Sequence, residues 1–126
     1  MAVALALTGC LGGGGGPPDA TGPARAIGLA LDRLQRATAA GDFATVCGEL
    51  LTPSARTRAG GPDCAGRARS AAAGVRRPSI EPLAIEVDGA TARVRVRTRA
   101  QGQADVDDVL LMRRVGGRWK VAALGG

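Results

Sequence analysis

The chain contains no histidine and no tyrosine, and its aromatic side chains are limited to Phe43 and Trp119. Each shortage removes a class of chemistry. Without imidazole, no group has an ordinary pKa suited to proton transfer near neutrality. Without histidine, two thiolates do not complete a zinc sphere, so no metal site and no cofactor is expected. With almost no stacking residues interleaved among the positive charges, the formal net charge of +6 does not read as a nucleic-acid surface. No apolar run is long enough to cross a bilayer. Glycine is abundant, but Gly12 to Gly16 precede no strand–helix unit and lack the context of a phosphate-binding loop.

What is present is an aliphatic domain. Residues 24–124 suffice for one domain, with a core built from Ala, Val, Leu and Ile. A chain of this size buries only about 60–70% of its unfolded surface, so a cross-link would help it. Sixteen of the 17 basic residues are arginine, and together with the many alanines, glycines and prolines they suggest a GC-rich coding sequence.

Pro23 to Ala40 is expected to be a helix, because Ile27, Ala30, Leu31, Leu34 and Ala37 recur at three and four. Gly41 stops it, and Asp42 is placed to cap a second helix, Phe43 to Leu51, which Thr52-Pro53 ends. Residues 54–62 read as a loop, and Asp63 as the cap of a third helix from Cys64 to about Ala73. Gly74 to Pro78 make a break.

From Ile80 the period becomes two, with Leu83, Ile85 and Val87 alternating with Ala84, Glu86 and Asp88. A two-residue turn at Asp88-Gly89 would pair Val87 with Ala90, Ile85 with Ala92 and Leu83 with Val94. A third strand, about Asp105 to Val115, would bring Leu110 and Met112 inward against Val94 and Ala92. That register sets Arg97 opposite Asp107 and Arg99 opposite Asp105. Gly116-Gly117 turns into a last strand, with Trp119, Val121 and Ala123 facing the core. Helices followed by an antiparallel meander give an α+β fold of N-terminal helices on a curved sheet of about four strands.

The N-terminus reads differently. Residues 2–7 are apolar and lead into Leu7-Thr8-Gly9-Cys10, which resembles the bacterial lipobox. The resemblance implies cleavage before Cys10 and attachment of acyl chains to it. Residues 1–9 then form a signal peptide shorter than usual and without positive charge, which suggests that the true start lies upstream. Residues 10–23 form a lipidated Gly/Pro tether. The expected location is the extracytoplasmic face of the cell membrane, held by the lipid. With Cys10 accounted for, Cys47 and Cys64 remain, and an exported pair can stay oxidised. Two free buried thiols are the alternative.

Gly41-Asp42-Phe43, the stretch from Cys47 to Pro53, Cys64, the stretch from Val87 to Val96 and the closing Gly117-Arg118-Trp119-Lys120-Val121 are together similar to a nuclear-transport-factor-2-like domain. That superfamily has a cystatin-like cone, a curved sheet wrapped on helices, and small actinobacterial lipoproteins belong to it. Its enzymes commonly place an Asp or His base in the cone. Here such work would fall to a carboxylate, for which Asp42 is best placed, although a helix cap is the plainer role. Asp105, Asp107 and Asp108 could hold a hard cation or pair with facing arginines.

The most unusual feature is the row Arg93, Arg95, Arg97 and Arg99 on one strand face, spanning ~20 Å. It is a candidate anion-binding row, with Asp105, Asp107 and Glu86 as partial neutralisers. The leading expectation is a non-enzymatic envelope lipoprotein that binds an envelope protein or a small ligand. The alternatives are an isomerase- or dehydratase-type enzyme using a buried carboxylate, and a binder of anionic lipid or cell-wall polymer through the arginine row.

Overall fold

The structure, a computed structural model, describes residues 22–124. Cys10, the signal segment and nearly all of the tether lie outside the described residues. The elements run α1 (Pro23–Ala39), α2 (Phe43–Thr45) continuing into a π-helical turn (Val46–Leu50), α3 (Pro53–Arg58), a 3₁₀ turn (Gly61–Asp63) and α4 (Cys64–Ala71). Four strands follow: β1 (Ser79–Asp88), β2 (Thr91–Arg99), β3 (Val106–Val115) and β4 (Arg118–Leu124). They form one antiparallel sheet in the order β1-β2-β3-β4, so the fold is α+β with the helices N-terminal to a curved sheet.

Pro23 starts α1 at the position where its missing N–H costs nothing. The helix ends as expected, with Gly41 at φ 73°. Gly41 N–H donates to the Thr38 carbonyl and Asp42 N–H to the Ala37 carbonyl at 2.8 Å. Ile27 and Leu31 on α1 are fully buried against Ile85, Ala92, Val94, Val96, Leu110, Met112 and Trp119 of the sheet. A second, smaller cluster joins Ala37, Phe43, Val46 and Leu50, with Ala65, Ala68 and Ala72 packed on it from α4 and the turn after it. Leu34 touches both clusters.

Residues 54–62 are not simply a loop. Thr52-Pro53 ends one helix and begins the next: the Thr52 hydroxyl accepts from Ala55 N–H at 3.1 Å, and Pro53 occupies the first turn of α3. Asp63 makes no side-chain capping bond. The chain between Leu51 and Thr52 lies along the free edge of β4, where Thr52 N–H donates to the Val121 carbonyl at 2.9 Å. The Arg58 guanidinium donates to the Ala122 carbonyl beside it. The opposite edge, β1, carries Pro82 and a bulge at Leu83, and the Gln35 side-chain oxygen accepts from Ile80 N–H at 2.9 Å.

Two registers need correction. The first hairpin turns at Gly89-Ala90, pairing Asp88 with Thr91, Val87 with Ala92 and Ile85 with Val94. Gly89 takes φ 60°, as the first position of a Gly-X turn requires, whereas a turn at Asp88-Gly89 would place Asp88 at positive φ. The slip is two residues, so every side chain keeps its face. In the last hairpin Met112 pairs with Val121 but Leu111 pairs with Ala123, with a bulge between. Trp119 and Val121 join the core, and Ala123 does not.

Cys47 and Cys64 form a disulfide with Cα atoms 6.1 Å apart. Cys64 is the one buried residue of α4, whose other inward residues are alanines. The bridge therefore does what side-chain volume does elsewhere. Replacing both cysteines by alanine is expected to cost about 3 kcal/mol in urea unfolding. Native-state hydrogen exchange should show protection lost first across α4, with the sheet amides least affected.

Candidate anion-binding face

The pleat of β2 decides which side chains reach solvent. Ala92, Val94 and Val96 point beneath α1, so Arg93, Arg95, Arg97 and Arg99 all lie on the outer face, as their spacing implies. The register between β2 and β3 is the one the sequence suggests, with Ala92 opposite Met112, Val94 opposite Leu110 and Arg97 opposite Asp107.

The four arginines are not equivalent. Arg97 makes a two-pronged contact with Asp107, Nε to Oδ1 at 2.7 Å and Nη2 to Oδ2 at 3.0 Å. Hydrogen bonding from Arg97 holds the Asp107 carboxyl below its ordinary range, and the fields of Arg97, Arg95 and Arg99 act in the same direction. Arg99 reaches Asp105 through Nε at 3.1 Å and Glu81 through Nη2 at 3.5 Å. Half of the row is thus neutralised. Arg93 and Arg95 have no carboxylate within ion-pairing distance among the described residues. Glu86 stands opposite Arg93 in the register without forming an ion pair, and the third neutralising carboxylate is Glu81.

The cations left over continue onto the neighbouring strands. Arg113 and Lys120 face each other directly across β3 and β4, also without a carboxylate partner among the described residues. Arg93 is paired with Leu111, which makes Arg113 its diagonal neighbour, at ~7–8 Å between backbones. A surface groove of about 460 Å³ is lined by Arg93 and Arg113, with Leu111 and Ala122 as its apolar part and Glu86 and Asp88 on the β1 side. Sequence reading along a single strand misses Arg113 and Lys120. The available signal was the register itself: once Met112 is set inward opposite Ala92, Arg113 falls outward beside Arg93.

Asp42 is exposed and caps α2. Its carboxylate accepts from the Thr45 hydroxyl at 2.7 Å and from Thr45 N–H at 3.2 Å, which holds its pKa below the ordinary value. A carboxyl held ionised in this way is unsuited to shuttling a proton near neutrality. Thr52 is the one buried polar or charged residue among those described, so no described carboxylate is buried. Asp105, Asp107 and Asp108 do not converge: the first two pair with arginines, and Asp108 sits opposite Val96. No group of three potential metal ligands occurs among the described residues, and none of the described helices is long and apolar enough to cross a membrane. No family model, curated protein or solved structure matches the chain.

Like charges directly opposed across strands are destabilising. Arg113→Gln should therefore raise the stability of the unliganded protein by a few tenths of a kcal/mol, read as a higher urea midpoint. In a separate test, Arg97→Gln should return the Asp107 pKa upward toward 3.8, measured by carboxyl NMR titration. Because the folded pKa of Asp107 is depressed, the stability it contributes is complete above the unfolded value and is lost as pH falls through the folded one. The acid side of the stability profile of the Arg97→Gln protein should accordingly be flatter.

Proposed function

We propose that this protein is a lipid-anchored component of the cell envelope whose domain acts outside the membrane as a non-enzymatic binding module. The observation that carries this is the buried Cys47–Cys64 disulfide, which suits an oxidising compartment outside the cytoplasm. It leaves Cys10 as the unpaired cysteine of the sequence, within a segment resembling a lipobox. Two acyl chains on Cys10 would hold the domain stably where one would be marginal. The order of elements, helices and then a curved antiparallel sheet, is compatible with the nuclear-transport-factor-2-like resemblance. Binding is favoured over isomerase or dehydratase chemistry because the interface between α1 and the sheet is filled by aliphatic side chains and Trp119, and the described carboxylates are all at the surface. An enzyme of that type would need an acid converging on a closed apolar pocket.

The test is the intact mass of the protein extracted from the membranes of its source cells, before and after reduction and alkylation. The expected result is a chain beginning at Cys10 and carrying acyl groups, with two further thiols alkylated only after reduction. An unprocessed chain with three thiols free from the outset would overturn the reading.

A further inference from the structure

Among the described residues, the sheet pairs some of its outer cations with carboxylates and leaves others without one. Arg97 and Arg99 have carboxylates set against them from both flanking strands, Glu81 on β1 and Asp107 and Asp105 on the β3 side. The cations without carboxylates do not follow the strand. They cross it, from Arg95 to Arg93 on β2, diagonally to Arg113 on β3, and straight across to Lys120 on β4. Beyond Lys120 the line reaches Arg56 of α3, which with Lys120 lines a second groove of about 460 Å³. Arg93, Arg95 and Arg113 are exposed. Glu86 and Asp88 line the groove at the β1 end, and Asp107, bonded to Arg97, also feels the field of Arg95.

We propose that this diagonal line, Arg95–Arg93–Arg113–Lys120, is a docking surface for the phosphodiester headgroups of an anionic phospholipid bilayer. Two facts point there. The first is the groove lined by Arg93 and Arg113, with Leu111 and Ala122 as its apolar part. Planar guanidinium groups bind phosphate oxygens in pairs, and the apolar part suits the glycerol carbons that join phosphate to lipid. The second is distance. Eleven residues, twelve steps of the chain, separate Cys10 from Gly22, a reach of at most about 40 Å. A domain of this size has a radius of gyration of about 13 Å. The outer face can therefore turn onto the bilayer that holds the anchor, and it can never be far from it. The docking rests on the lipid-anchored location proposed above, which the mass measurement tests without reference to any arginine.

The experiment uses the full chain carrying Cys10→Ser, so that no acyl group contributes. Co-sedimentation is measured with vesicles of phosphatidylcholine alone and with vesicles that also contain phosphatidylglycerol, over a range of salt. Binding to the anionic vesicles should exceed binding to the neutral ones and fade as salt rises. Arg93→Gln with Arg113→Gln should weaken it roughly 25-fold, about 5-fold for each charge removed near an anionic surface. The charge-matched control is Arg33→Gln with Arg36→Gln on α1, which packs on the other face of the sheet; it should change binding far less. Trp119 emission and far-UV circular dichroism confirm that each variant is folded, and Lys120→Gln alone, expected to lose about 5-fold, serves if the double variant is not. Equal losses in the two double variants would overturn the site. So would arginine-dependent binding to soluble poly(glycerol phosphate) without binding to vesicles, which would assign the surface to a polymer.

Discussion

The burial of Val94 and Val96 beneath Ile27 and Leu31 is the constraint from which most of the molecule follows. Successive strand residues point to opposite faces, so fixing two valines inward fixes four arginines outward. It also fixes the neighbours, because a sheet with one buried face tolerates register shifts only in steps of two. Leu110 and Met112 must then face inward, and Asp107 and Arg113 outward. The charge pattern of the outer face is to that extent a by-product of core packing. What packing does not dictate is which outward positions receive carboxylates, and there the sheet divides into a neutralised end near Arg97 and Arg99 and a positive diagonal from Arg95 to Lys120.

The helical part depends on a different constraint. Its cluster contains one aromatic ring, Phe43, and is completed largely by alanines. The Arg69 guanidinium lies 6.0 Å from the centre of that ring and covers it from outside. Small side chains bury little area, so the covalent bond from Cys47 to Cys64 carries an unusual share of the work of holding α4. The π-helical turn from Val46 to Leu50 serves the same region: it places Cys47 and Leu50 inward together and then releases the chain at Leu51 toward the edge of β4. One short stretch thus supplies a core residue, a cross-link and an edge cover.

How far this was legible in the sequence depended on whether local signals had one meaning. Helix α1 was legible from its periodicity and the Arg97–Asp107 register from hydrophobic pattern and charge together, while the Cys47–Cys64 pair followed from setting Cys10 aside as the lipobox cysteine. The first hairpin slipped by two residues because both registers pair apolar with apolar, so the pattern could not separate them; the φ of Gly89 does. Helix α3 was missed because Thr52-Pro53 is at once a stop and a start. Ala123 was misplaced because a bulge interrupts the β3–β4 register just before it, at Ala122, whose carbonyl accepts from Arg58, 64 residues away; no local signal marks it. The arginine row was legible as a row, but its division was not, since Glu81 reaches Arg99 from a strand that the sequence reading set two residues out of register.

Trp119 has a consequence of its own. It is the single tryptophan of a chain without tyrosine, it is 6% exposed, and the Arg114 guanidinium sits 5.8 Å from the centre of its ring. Ultraviolet emission from the protein therefore originates in one place, the contact between α1 and the sheet. The cross-linked helices have no chromophore of comparable strength. Opening of α4 would be optically silent while its helical signal fell, and two unfolding curves that fail to superimpose would report the two clusters separately in a domain of a single colour.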